Sequence, residues 1–201
     1  MFRNNSIIIA SRNPGKIREI SIMFAQISLE TKSLLDFDLI PPEETAATYH
    51  ENSYQKALWT YRHTDTPCLA DDSGLEIESL GDKPGVLSAR YFGDQASDKY
   101  KNEQILKALN GHGESERKAR FVCLMVLVLN ENVWLSTKGV IPGSIAQKPA
   151  GSNGFGYDPI FIPQGHQQTF ALIPVPEKNR ISHRGQALSH MFALMRAILG
   201  S

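Results

Sequence analysis

The chain has 201 residues, 41% of them hydrophobic and 21% charged, and Lys+Arg 21 balances Asp+Glu 21. That composition suits one globular domain with a real core, and it excludes the disordered and collagen-like classes. A formal net charge of zero argues against a nucleic-acid coat or a polybasic membrane anchor, while leaving room for a local basic pocket.

Cys68 and Cys123 are too few for a disulfide scaffold and lack CxxC spacing, so both read as buried thiols. The start, MFRNNSIIIASRNPGK, has three consecutive isoleucines before it turns polar, and a secretory signal needs a longer apolar stretch. The longest apolar run, residues 121–129, is about half of the ~20 residues a membrane helix requires. The expectation is a soluble, cytoplasmic protein with no membrane or nucleic-acid partner.

In chain order, residues 6–10 are apolar with β-branched isoleucines and read as a buried strand. Asn13, Pro14 and Gly15 break that pattern, and Ile17, Ile20, Phe24 and Ile27 then recur at helical spacing. Residues 34–48 carry Pro41, Pro42 and several acids and read as a loop. Residues 51–62 look helical, with Tyr54, Leu58 and Tyr61 on one face and Asn52 or Ser53 near a cap. Residues 68–70 form a short strand that runs into Asp71-Asp72-Ser73-Gly74. A helix over 99–109 presents Ile105, Leu106 and Leu109. Two β-rich runs, 119–129 and 133–141, flank Asn130-Glu131-Asn132, a hairpin signal. Residues 148–158 are a loop with Gly151, Gly154 and Gly156, and Leu188, Met191, Met195 and Ile198 mark a C-terminal amphipathic helix. This order implies an α/β fold with a mixed sheet.

Four groups could carry chemistry. Ser11-Arg12-Asn13-Pro14-Gly15-Lys16 joins a strand to a helix, where backbone N–H groups and a lysine suit an anion. It is not a Walker A loop, because position 10 is alanine and position 17 is isoleucine. Asp71 and Asp72 follow a strand and face opposite ways, and one of them can serve Mg²⁺, which prefers oxygen donors. Glu43, Glu44 and Glu51 add acids upstream. Gly154-Phe155-Gly156-Tyr157-Asp158 sets an aromatic among glycines, as a base-stacking platform would. Lys178 with Ser182-His183-Arg184-Gly185 can hold a phosphate or a base edge. His50, His63, His112, His166 and His190 show no zinc spacing. Together these are the parts of a nucleotide site.

The same residues resemble the inosine triphosphate pyrophosphatase family (Ham1-like), its bacterial branch above all. The similar segments are ASRNPGK from Ala10, ENS from Glu51 with Lys56-Ala57, ADDSGLEIESLGDKPGVLSARYFG from Ala70, PAGSNGFGYDPIF from Pro149 and ISHRGQAL from Ile181. They lie in order along nearly the whole chain.

The resemblance implies one domain over 1–201, with an elongated mixed sheet, flanking helices and two lobes around a central nucleotide cleft. It implies Mg²⁺-dependent hydrolysis of dITP, ITP and XTP to the monophosphate and pyrophosphate by a homodimer. By position, Ser11, Arg12, Asn13, Pro14, Gly15 and Lys16 match the phosphate loop. Asp72 matches the catalytic acid and metal ligand, with Ser73 beside it contacting substrate. Glu44 matches the other metal carboxylate, with Glu43 as the alternative register. Phe155, Gly156, Tyr157 and Asp158 match the base-contacting loop, and Lys178, His183 and Arg184 the remaining substrate contacts. The expected roles are stacking by Phe155 and donation to a 6-keto purine by His183 and Arg184.

Overall fold

The computed structural model describes residues 6–199. Residues 1–5, on which part of the leader reading falls, lie outside them. The described chain forms two compact units. The first holds the residues through Asp72, Cys123–Gly139 and those from Arg184 onward, and the second holds Ser73–Val122 and Val140–His183.

In the first unit, strand β1 (Ser6–Ile9) is wholly buried, as its isoleucine run predicts. It pairs in parallel with β2 (Glu30–Ser33) from Ser6↔Glu30 to Ile9↔Ser33, and with the start of β3 (Cys68–Ile77) at Ile8↔Cys68. The polar segment Glu-Thr-Lys-Ser of β2 carries no apolar alternation, which is why its sequence hides a strand. It lies at the end of the strand order β2-β1-β3-β5-β6-β7, where half-exposed polar strands are tolerated. Helix α1 (Pro14–Ala25) is capped by Asn13 and starts on proline, which is preorganised for a first turn. Its inner face is Ile20, Met23 and Phe24. Ile27 falls beyond the helix and is exposed.

Helix α2 (Tyr49–Thr64) is capped by Thr48, which accepts from the Glu51 N–H. Asn52 and Ser53, expected near a cap, lie inside the helix instead, on a buried face with Lys56, Ala57 and Thr60. That face is largely polar, so apolar periodicity points to the neighbouring stripe of Tyr54, Leu58 and Tyr61, which is only partly buried. The first unit's core joins Ile7, Ile9, Phe24 and Leu69 with Cys123, Met125 and Leu127. Helix α5 (His183–Leu199) adds Leu188, Met191, Phe192 and Met195 to it. Phe192 meets Phe24 edge-on with centroids 5.1 Å apart. Both cysteines are free and buried.

Strand β3 runs straight through Asp71-Asp72-Ser73-Gly74, so these residues are extended strand rather than a turn. In the second unit its later residues pair antiparallel with β4 (Lys83–Pro84) at Glu76↔Pro84. Helix α3 (Asp98–Ala108) follows, capped by Ser97. The long strands β5 (Lys118–Asn130) and β6 (Val133–Ile145) are the expected hairpin arms, and Asn130 Oδ1 accepts from Asn132 N–H at 2.9 Å in the turn between them. Strand β7 (Phe161–Pro163) pairs antiparallel with β6 from Gly143↔Pro163 to Ile145↔Phe161. Parallel and antiparallel pairs together make the sheet mixed. A short helix α4 (Val175–Ile181) precedes α5. The second unit's core gathers Leu75, Ile105, Phe121, Ile160, Phe161 and Phe170. Among the described residues, no helix is long and apolar enough to cross a membrane.

Candidate active site

The strand-to-helix junction behaves as a capped turn. Asn13 Oδ1 accepts from Gly15 N–H at 2.9 Å and from Lys16 N–H at 3.1 Å, and Ser11 Oγ accepts from Asn13 N–H at 3.1 Å. Amides expected to face an anion are therefore bonded to Asn13, and the Lys16 ammonium is the charge this turn presents. Arg12, half-exposed, reaches away, donating to the Leu39 carbonyl at 3.1 Å, with the fully exposed Asp38 beside it.

Extended backbone sends successive side chains to opposite faces, and β3 uses this to separate its two aspartates. Asp71 takes the cations: its Oδ2 is 3.2 Å from Lys16 Nζ and accepts from Arg184 Nε at 3.3 Å and Arg184 Nη2 at 3.2 Å. Burial pushes its pKa up, but the charges of Lys16, Arg184 and Lys56 win and hold it well below the usual carboxylate range. Asp72 is also buried and accepts from Asn52 Nδ2 at 2.9 Å. Here burial and the charge of Glu44 prevail over Lys16, Asn52 and Lys56, so its pKa is raised.

Glu44 meets the Lys56 ammonium directly, and Lys56 also donates to the Asp71 carbonyl at 2.7 Å. Burial works against the ionised Glu44, but Lys56 and Lys16 hold its pKa low. Of the two upstream registers, Glu44 joins this acid–lysine group, whereas Glu43 is exposed. Burial alone would lower the Lys16 pKa, but Asp71, Asp72 and Glu44 outweigh burial and Arg184 and raise it.

Arg184 departs from the base-reading role expected of it. Its Nη1 donates to Glu19 Oε2 at 2.6 Å while its other donors serve Asp71. Burial opposes its charge, yet Asp71 and Glu19 raise its pKa. A guanidinium so paired between α1 and β3 braces the first unit. Glu19 carried no signal in the sequence, because an acid in a helix reads as solvent-facing until its partner is known.

The second unit carries the aromatic loop. Gly154 has φ +76°, and a Cβ there would lie 1.9 Å from Asp158 Oδ2, so only glycine lets the loop close over that carboxylate. Asp158 accepts from Phe155 N–H at 2.9 Å and meets the Lys178 ammonium directly, with both side chains buried. Lys178 Nζ lies 5.2 Å from the Phe155 ring centroid and 5.5 Å from that of Phe170, within cation–π range. Tyr157 packs into the core and donates its hydroxyl to the Ser88 carbonyl at 3.0 Å. It anchors the loop, and burial raises its pKa. His183 is buried and stacks on Phe121 with centroids 4.6 Å apart. Ser73 follows Asp72 in β3 and is partly exposed.

Among the described residues, no group of three or more His, Cys, Asp or Glu could cage a metal ion. Mg²⁺ rarely needs such a cage, since one or two carboxylates plus substrate phosphates suffice. Asp72 and Glu44 fit that mode: they are two carboxylates coupled by charge, and burial first and Glu44 second raise the Asp72 pKa.

Comparison with known proteins covers nearly the whole chain. The sequence profile of the Ham1 family matches residues 7–194. A dITP/XTP pyrophosphatase of Bacillus licheniformis is 40% identical over 190 residues, spanning 94% of this chain and 97% of that one. One from Thermus thermophilus is 42% identical over 188 residues, spanning 94% and 90%. The solved structure of a HAM1 protein from Coxiella burnetii superposes with a TM-score of 0.85 at 41% identity, covering 96% of this chain and 98% of that one. The Ham1 protein of Staphylococcus aureus gives 0.82 at 34% identity, covering 96% and 99%. The chain belongs to the Ham1 family.

Proposed function

We propose that this protein hydrolyses non-standard purine nucleoside triphosphates, dITP, ITP and XTP, to the monophosphate and pyrophosphate; the relatives named dITP/XTP pyrophosphatase support this reading. The observation that carries the reading is the division of labour on β3. Asp71 is locked among cations, whereas Asp72 next to it is buried, carries a raised pKa and is coupled to Glu44. A carboxylate of that kind is a competent proton acceptor.

In the first unit, the Lys16 ammonium is suited to phosphate charge. Asp72 orients a water and takes its proton as the water oxygen bonds to the α-phosphorus. The bond from that phosphorus to the bridging oxygen breaks, and pyrophosphate leaves. Asp72 and Glu44 would hold Mg²⁺, which when bound neutralises phosphate charge. In the second unit, the Phe155 ring is a stacking face for the purine. The Lys178 ammonium lies 5.2 Å from the centroid of that ring and is the donor we assign to the base. It suits a 6-keto acceptor and has nothing to offer the 6-amino group of adenine. A homodimer and a cytoplasmic location belong to the same proposal, and light scattering tests the first.

Product analysis tests the reaction class. ITP should yield IMP and pyrophosphate in equal amounts. Release of IDP and inorganic phosphate would place the attack at the γ-phosphorus and overturn this assignment.

A further inference from the structure

Gly156 sits beside the Phe155 ring with φ +62° and nothing within 4 Å of where a Cβ would be. Packing does not fix it, yet both of its backbone polar groups are held. Its N–H donates to Asp98 Oδ2 at 2.7 Å, and its carbonyl accepts from Asn102 Nδ2 at 3.0 Å. Asp98 and Asn102 are four residues apart on α3, hence on one face of the helix. Hydrogen bonds on both sides of one residue oppose rotation of either flanking peptide, and the peptide before Gly156 carries Phe155.

A cavity of about 390 Å³ lies against this clamp, lined by Asp98, Asn102, Gly154, Phe155, Gly156 and Pro159 among others. The loop has no solid core behind it there, so polar bonds must do what packing does elsewhere. Asn102 is buried, and its Oδ1 has no hydrogen-bond partner among the described residues. An unsatisfied buried carbonyl oxygen is costly. An apolar residue would avoid that cost, which argues that the Nδ2 bond to Gly156 is what the position is kept for. Asp98 is half-exposed, with Lys101 3.9 Å away.

We infer that Asp98 and Asn102 are positioning residues for purine recognition, setting the angle of the Phe155 stacking face by gripping Gly156. The inference rests on the proposed reading of the aromatic loop as the base site. Neither residue touches substrate in this account. Their effect therefore falls on base binding more than on the chemical step.

The test uses the full-length protein, with Asp98→Ala as the main variant because an exposed carboxylate is tolerant of replacement. Steady-state kinetics should show KM for ITP raised about tenfold, kcat changed less than threefold, and the preference for ITP over ATP reduced. Asp98→Asn, which keeps an acceptor oxygen for the Gly156 N–H, should restore KM to within about twofold of the parent. In parallel, hydrogen exchange of peptides covering 150–160 should quicken in Asp98→Ala and not in Asp98→Asn. Equal behaviour of the two variants, or unchanged KM and exchange in Asp98→Ala, would overturn the clamp. Failure of the parent protein to turn over ITP overturns the functional reading instead. The exchange arm still decides whether the clamp holds the loop.

Discussion

The Lys16 ammonium lies 3.2 Å from Asp71 Oδ2, while Asp72, one residue on, accepts from Asn52 Nδ2 at 2.9 Å. Because strand residues alternate in direction, that pairing separates two adjacent carboxylates into a brace and a base. Arg184 completes the brace by linking Asp71 to Glu19.

Replacing the base should leave the fold and remove the activity. Asp72→Asn keeps an oxygen to accept from Asn52 and loses the proton acceptor. Pyrophosphate release from ITP should fall by roughly 10²–10⁴-fold, the usual contribution of a general base, with an unchanged circular dichroism spectrum. Near-parental kcat in this variant would remove Asp72 from the mechanism.

Replacing the brace should do the reverse. Asp71→Asn leaves Lys16 and Arg184 short of a buried counter-charge, which costs about 3–5 kcal/mol. Urea unfolding measures this. The sign with pH follows from the depressed pKa: the unfolded chain takes up the proton first, near the ordinary value of 3.8. The Asp71 contribution is full above that value and is lost as pH falls further, through the folded-state pKa. The gap in stability between parent and Asp71→Asn should be constant from neutral pH to about 5 and shrink in more acid solution. A gap that widens there would show that the carboxylate is not held ionised.

The two upstream glutamates should separate cleanly. Glu44→Gln should raise the Mg²⁺ concentration needed for half-maximal activity by at least tenfold, about 1.4 kcal/mol of lost binding. Glu43→Gln, at an exposed position, should leave it unchanged. Chelation with EDTA should stop turnover, and added Mg²⁺ should restore it. Equal effects of the two substitutions would contradict the choice of Glu44.

Loss of the stacking face should appear in binding. Phe155→Ala should raise KM for ITP by roughly 5–150-fold, equivalent to the ~1–3 kcal/mol of base–aromatic stacking. Steady-state kinetics on ITP checks this. A fall in kcat at unchanged KM would assign the ring another role.

How much of this could be read from residues alone follows from what each residue needed. The buried isoleucines of β1, the helix after Pro14 and the hairpin around Asn130–Asn132 are local patterns, and they stand where the sequence puts them. Strand β2 was invisible because four polar residues at the end of a sheet show no period. The inner face of α2 was misplaced because it is built of Asn52, Ser53 and Lys56, residues that an apolar pattern assigns to solvent. The loop of Phe155 and the pair Asp71-Asp72 stood out by composition. What each aspartate does depends on Lys16, Arg184 and Glu19, which are far apart in sequence. Arg117 is the clearest silent case: it is buried and donates to the carbonyls of Leu109, Ile145 and Ala146 at 2.7–2.9 Å. A cation that ties together two backbone segments, at Leu109 and at Ile145-Ala146, has no sequence signature.

The most direct test is kcat/KM for pyrophosphate release from ITP, XTP, GTP, ATP and dTTP, each with Mg²⁺ and with EDTA. The account predicts efficient, metal-dependent release from ITP and XTP and at least a hundredfold lower efficiency on ATP and dTTP, in line with ~2.7 kcal/mol of discrimination from a purine-keto contact and a stacking face together. Comparable release from ATP, or release mainly from dTTP, would contradict it.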